Sequence, residues 1–147
     1  MIDSAEYLIV NELSERHKQQ LLPLYQNEWW SKNRSAHDVE TILKGSSFVV
    51  GLVHKISDDL IGFARVLTDY FKYAYVYDVI IVPKYRGRDL GKYLIEQALN
   101  HPILKEVKYI ELTCLEGMCS FYEQFGFTKD YNASVPMRRS NLNSTVS

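Results

Sequence analysis

YVYDVIIVPKYRGRDLGKYLI, residues 75–95, is the stretch from which the fold can be read. Through Val82 it is apolar and β-branched, the composition of a buried strand. It stops at Pro83, which has no N–H to give a ladder. Arg86-Gly87-Arg88-Asp89-Leu90-Gly91-Lys92 follows as a short basic loop. From Asp89 to Asn100 apolar residues then recur at helical spacing, at Leu90, Leu94, Ile95, Ala98 and Leu99. The first N–H groups of a helix have no intrahelical partner, and the macrodipole puts partial positive charge on them. A strand running through such a loop into a helix start is therefore an anion site. Arg86, Arg88 and Lys92 add three cations, so a phosphate-bearing ligand is expected. Neither GxxxxGK[ST] nor GxGxxG is present, so the common nucleotide patterns do not apply.

On the N-terminal side, Tyr7 to Val10 reads as a first strand. Ser14 is an N-cap for a helix whose apolar face is Leu21, Leu22, Leu24 and Tyr25, and Pro23 predicts a kink or break in it. Ser35 and Asp38 form a capping box, with Val39, Ile42 and Leu43 facing inward and Gly45 as the stop. Phe48 to Val53 and Leu60 to Leu67 make a hairpin around Ser57-Asp58-Asp59. Tyr73 to Val82 is the next strand. On the C-terminal side, Pro102 follows the helix, Val107 to Leu112 is a buried-type strand, and Gly117 to Phe125 is a short helix capped by Gly126. A last antiparallel region begins at Phe127 and includes Val135 to Met137. The order is β-α-α-β-β-β-α-β-α-β. A helix between the Tyr73 and Val107 strands makes that pair parallel. The expected fold is thus α/β, a mixed sheet with helices on both faces. One domain covers residues 1–139, and a polar, disordered tail covers 140–147.

Composition narrows the function classes. The 147 residues carry a formal net charge of −1, which gives no bulk attraction to nucleic acid or membrane. No segment is apolar for long enough to span a bilayer. The first residues carry acids and no long apolar run, so a cytoplasmic protein is expected. The 2 cysteines and 4 histidines have no zinc spacing, so no metal is expected, and the cysteines read as reduced thiols.

Pro83, Tyr85, Arg86, Gly87, Gly91 and Leu94 match the P-x-Y-R-G-x-G-x-G-x-x-L motif of the GNAT superfamily of N-acyltransferases. Asp89 departs from it, where the family usually has glycine. Phe121-Tyr122-Glu123-Gln124-Phe125-Gly126-Phe127 resembles the family's second motif, [LF]-Y-x-x-x-G-F. The resemblance covers about Phe48 to Phe127, and the N-terminal third by layout alone.

The resemblance implies an N-acetyltransferase that moves an acetyl group from acetyl-CoA to a primary amine by direct attack in a ternary complex. It implies that pantetheine lies along the backbone of Val79, Ile80, Ile81 and Val82, with Val79 and Ile81 as the main-chain contacts. The pyrophosphate would sit on the amides of Arg86, Gly87, Arg88, Asp89, Leu90 and Gly91, with Lys92 adjacent. Asp89 is a good N-cap residue, but its charge would oppose the phosphate. Tyr122 would protonate the leaving thiolate. A primary amine is neutral in only roughly one molecule in 2,500 at pH 7, so a base is needed. Asp78 and Glu111 are the two candidates; the alternative for Asp78 is a structural ion pair, for instance with Arg65. Cys114 and Leu115 stand where the family often has asparagine.

The acceptor pocket would lie between the first two helices, at Trp29, Trp30 and Arg34. The two tryptophans would wall an apolar or cationic acceptor. Arg34 and Arg65 would instead favour one with a carboxylate. The acceptor is a small-molecule or peptide amine, and a homodimer paired through the C-terminal strands is one expected assembly. The competing reading is a non-catalytic acyl-CoA-binding module of the same fold.

Overall fold

The computed structural model describes residues 2–142. These fall into two compact units that divide after Thr113. In the first, strands β1 (Tyr7–Val10), β2 (Phe48–His54), β3 (Asp59–Thr68), β4 (Tyr73–Ile81) and β5 (Tyr109–Glu111) form one sheet in chain order. The first three pairings are antiparallel, and β4 with β5 is parallel. The β2–β3 turn works because Asp58 accepts a left-handed conformation, φ 57°. The β3–β4 turn is closed by Asp69, whose carboxylate accepts the N–H groups of Phe71, Lys72 and Tyr73.

Three helices cover the sheet: α1 (Glu15–Gln26), α2 (Ala36–Gly45) and α3 (Leu90–Leu99). The Ser14 hydroxyl accepts the His17 N–H at the start of α1, and Ser35 with Asp38 forms the full capping box of α2. Leu21, Leu24, Tyr25 and Val39 of these helices pack with Val49, Val53, Leu60, Phe63 and Ile80 of one sheet face. The alternate residues Val50, Leu52, Ala64 and Val66 are buried on the other face. There α3 packs on β2, β3 and β4 through Leu90, Leu94, Ile95 and Ala98.

The structure departs from expectation in four places. First, of the kink or break expected at Pro23, the break does not occur: α1 runs through the proline without ending. One backbone bond is lost, but burial of Leu21, Leu24 and Tyr25 on both sides of the proline holds the helix together. Second, β5 is three residues long and half-exposed rather than a buried strand over Val107 to Leu112. Third, in the second unit a 3₁₀ turn, Glu116–Met118, leads into the short helix α4 (Cys119–Glu123), and Gly126 follows with φ 91°.

Fourth, no strand follows Glu111 among the described residues. Asn132 and Ala133 are left-handed, φ 53° and 68°, which interrupts extended backbone. Pro136 lacks a donor, and Val135 and Met137 are 76% and 93% exposed. The C-terminal strands expected to pair a homodimer are therefore not formed. The expected tail falls mostly on 143–147, outside the described residues. Among the described residues no helix is long and apolar enough to cross a membrane.

Candidate functional site

The site starts where β4 loses a neighbour. Its pairing with β5 ends at Tyr75 and Glu111, while β4 itself continues to Ile81. On the other side β4 stays paired with β3, and the Val82 N–H donates to the Ile61 carbonyl at 2.9 Å. Strand alternation then turns Ile80 toward β3 and the N–H and C=O of Val79 and Ile81 toward the open side. These are the two residues expected to offer main-chain contacts. The Ile81 carbonyl accepts the Nε–H of Arg86 at 2.9 Å.

The loop comes next. After a 3₁₀ turn at Pro83–Tyr85, Gly87 and Asp89 take left-handed conformations, φ 78° and 60°. Glycine adopts this region freely, and aspartate is among the few other residues that tolerate it. Asp89 departs from the expected capping role. Its backbone carbonyl accepts the Tyr93 N–H at 3.1 Å, but its carboxylate caps nothing. A capping side chain needs an extended backbone at that position, which Asp89 does not have. The carboxylate therefore leaves the helix-start amides free. Among the described residues no acceptor meets the N–H groups from Gly87 to Lys92.

The three loop cations are not equivalent. Arg86 Nη2 is bound to Glu28 Oε1 at 2.8 Å. The Arg88 guanidinium lies 5.2 Å over the Tyr85 ring. Lys92 is exposed.

A second cluster forms around Asp78, on the sheet face covered by α1. The β3–β4 register skips between Phe63 and Arg65, and Asp78 sits in this bulge with φ 57°. Its Oδ2 accepts the Tyr25 hydroxyl at 2.7 Å, Arg65 Nε at 2.6 Å and Arg34 Nη1 at 3.4 Å. The Asp78–Arg65 ion pair is the structural alternative that the sequence allows for this aspartate. Burial, then the Asp78 charge, pushes the Tyr25 phenol far above its ordinary pKa, so it stays protonated and donates to Asp78. Arg34 lies 4.4 Å over Tyr25 and 5.6 Å over Trp30, and Arg65 lies 4.9 Å over Tyr77. Trp30 meets Tyr25 edge-on, whereas Trp29 is 70% exposed.

Glu111 does not join this cluster. It lines an open cavity of about 390 Å³ with Ser47, Leu67, Thr68, Tyr73 and Tyr75. Sequence reasoning missed Tyr25 and Glu28. Tyr25 reads as one more apolar position on α1, and its partner is 53 residues away. Glu28 meets Arg86 across 58 residues. No local pattern marks either contact.

In the second unit, Tyr122 on α4 is buried and meets Phe121 and Phe127 edge-on. Burial, then Cys114, pushes its phenol up to about 12, so it stays protonated at neutral pH. The Cys114 and Cys119 sulfurs lie 3.9 Å apart, both as free thiols.

The chain is similar to known proteins in sequence and in fold. Over 103 residues it is 36% identical to ycf52 of Pyropia yezoensis, named an uncharacterized N-acetyltransferase; the match covers 69% of this chain and 59% of that one. A crystal structure from Xanthomonas campestris pv. campestris, assigned to the GNAT family, superposes with a TM-score of 0.77. It shares 25% identity, over 91% of this chain and 92% of the other. A Trypanosoma brucei acetyltransferase shares the fold, with a TM-score of 0.72 and 22% identity over 93% of this chain and all of its own. The family model for the acetyltransferase (GNAT) family matches residues 9–127, and this chain belongs to that family.

Proposed function

We propose that this protein is an acetyl-CoA-dependent N-acetyltransferase acting on a primary amine by direct attack in a ternary complex. One observation carries the reading. The open β4 edge at Val79 and Ile81 runs straight into amides, Gly87 to Lys92, that have no acceptor among the described residues. An extended edge followed by a donor cluster fits an elongated ligand with amides along its arm and a diphosphate at its end.

In this reading the backbone of Val79, Ile80, Ile81 and Val82 lines the arm, and the amides from Gly87 to Gly91 take the diphosphate; the Arg86 amide, also expected there, is already bound to the Pro83 carbonyl at 3.1 Å. Arg88 and Lys92 offset its charge, while Arg86 is steered by Glu28. Acetyl-CoA supplies an activated acetyl thioester. Glu111 takes the proton from the attacking nitrogen, directly or through water, and Tyr122 gives one to the departing sulfur. The support for Glu111 is a carboxylate with no bonded partner among the described residues. Asp78, with three donors on one oxygen, instead positions Arg34 and Arg65. Trp29, Trp30, Arg34 and Arg65 line the acceptor side. The reading places the protein in a reducing compartment, with the cytoplasm the default, because two cysteines are too few for a disulfide framework.

Calorimetric titration with acetyl-CoA, together with thiol release over an amine panel, tests this. Saturable binding and turnover of at least one amine are expected. Binding without turnover on any amine would leave a non-catalytic acyl-CoA module, and no binding would remove the reading altogether.

A further inference from the structure

The cluster around Asp78 is out of electrical balance. Two guanidiniums share one carboxylate oxygen, so among the described residues one positive charge is left over. The Arg65, Arg34 and Asp78 side chains are only 16%, 26% and 9% exposed, so water screens this excess poorly. Asp38 feels the Arg34 charge, but its carboxylate accepts the Ser35 amide in the capping box. Glu28 is bound to Arg86. Glu28 is thus committed elsewhere, and for Asp38 the Arg34 charge is the smallest of the influences on it, so it offsets the surplus only weakly.

Both guanidiniums have donors to spare. Arg65 meets an acceptor only through Nε, and Arg34 only through Nη1, among the described residues. Each guanidinium also lies over an aromatic face, at 4.4 Å for Arg34 and 4.9 Å for Arg65, which restrains it while its remaining N–H groups have no acceptor among the described residues. Unused donors in a planar fork match the oxygens of a carboxylate or phosphate. Asp78 Oδ1 has no donor among the described residues and is available to an ammonium or neutral amine.

We infer that the acceptor is an amine carrying an oxyanion, a carboxylate or a phosphate, a few bonds from its nitrogen. Arg34 and Arg65 bind the oxyanion, and Asp78 holds the two arginines in place. The inference rests on the transferase reading for the word acceptor; the anion site itself does not depend on it.

Matched amines test this at constant ionic strength: β-alanine against propylamine, and phosphoethanolamine against ethanolamine. We expect kcat/KM to be at least tenfold higher for the anionic member of one pair or both. Whether one pair or the other shows the preference names the group as carboxylate or phosphate. Arg34→Gln and Arg65→Gln should each bring the ratio toward one. A merely structural loss lowers both members of a pair together and leaves the ratio unchanged. Calorimetry of β-alanine and phosphoethanolamine, without acetyl-CoA, gives a second readout. Binding to wild type that is lost in the variants, with no turnover of any amine, would sink the transferase reading and keep the anion site. Ratios near one in wild type, a preference for the uncharged amines, or anion binding indifferent to both substitutions would overturn the inference.

Discussion

Asp89 shows how one residue departs from a motif for a physical reason. The loop needs a left-handed residue there, and glycine meets that need without a Cβ clash. Aspartate costs about 1 kcal/mol in that conformation and puts a negative charge beside the amides proposed for the diphosphate. We expect Asp89→Gly to tighten acetyl-CoA binding several-fold and to raise stability slightly; unchanged or weaker affinity in calorimetry would count against a phosphate on this loop. His101 gives a pH prediction. Its ring stacks on Phe48 at 3.9 Å, and its Nδ1 accepts the Ile103 N–H, so burial lowers its pKa below the usual 6.5. The folded state favours neutral imidazole. The stability this confers is present above about pH 6.5 and lost as pH falls through the folded value. A His101→Gln variant should therefore differ from wild type in chemical denaturation at pH 7.5 and converge toward it at pH 5. A gap that stays constant between these pH values would rule this out.

Elements were legible where the signal is local and hidden where it is not. The run from β4 through the loop into α3 announces itself by a β-branched stretch, a proline, glycines and i, i+4 apolar spacing, and its strand, loop and helix form in the order read. The bulge at Asp78 leaves no such trace. At it Tyr25, Arg34 and Arg65, 53, 44 and 13 residues away, converge on one carboxylate oxygen. The segment after Phe127 was misread because two apolar residues around a proline imitate a strand that has too little apolar surface to bury. The bulge bears directly on stability. Asp78→Ala would leave two partly buried guanidiniums and a buried phenol without their acceptor, and should cost about 2–4 kcal/mol in urea unfolding. Tyr25→Phe removes one hydrogen bond and keeps the packing, so about 1 kcal/mol is expected. A loss for Asp78→Ala no larger than that for Tyr25→Phe would mean the arginines find other partners or water.

At the scale of the molecule, a ligand that binds only the folded chain stabilises it by mass action. At one hundred times its Kd the gain is about 2.7 kcal/mol, which for a chain of this size raises the melting temperature by several degrees. Coenzyme A lacks the acetyl group but keeps the arm and the diphosphate, so it should give nearly the same shift as acetyl-CoA. Inorganic pyrophosphate at the same concentration engages only the loop amides, so it binds more weakly and should give a smaller one. The ranking separates the two halves of the proposed donor site. Equal shifts from pyrophosphate and coenzyme A would leave the β4 edge without a role. A shift from coenzyme A that Asp89→Gly fails to enlarge would locate the diphosphate away from the start of α3. Both halves are engaged only if coenzyme A exceeds pyrophosphate in wild type and the glycine variant enlarges both shifts.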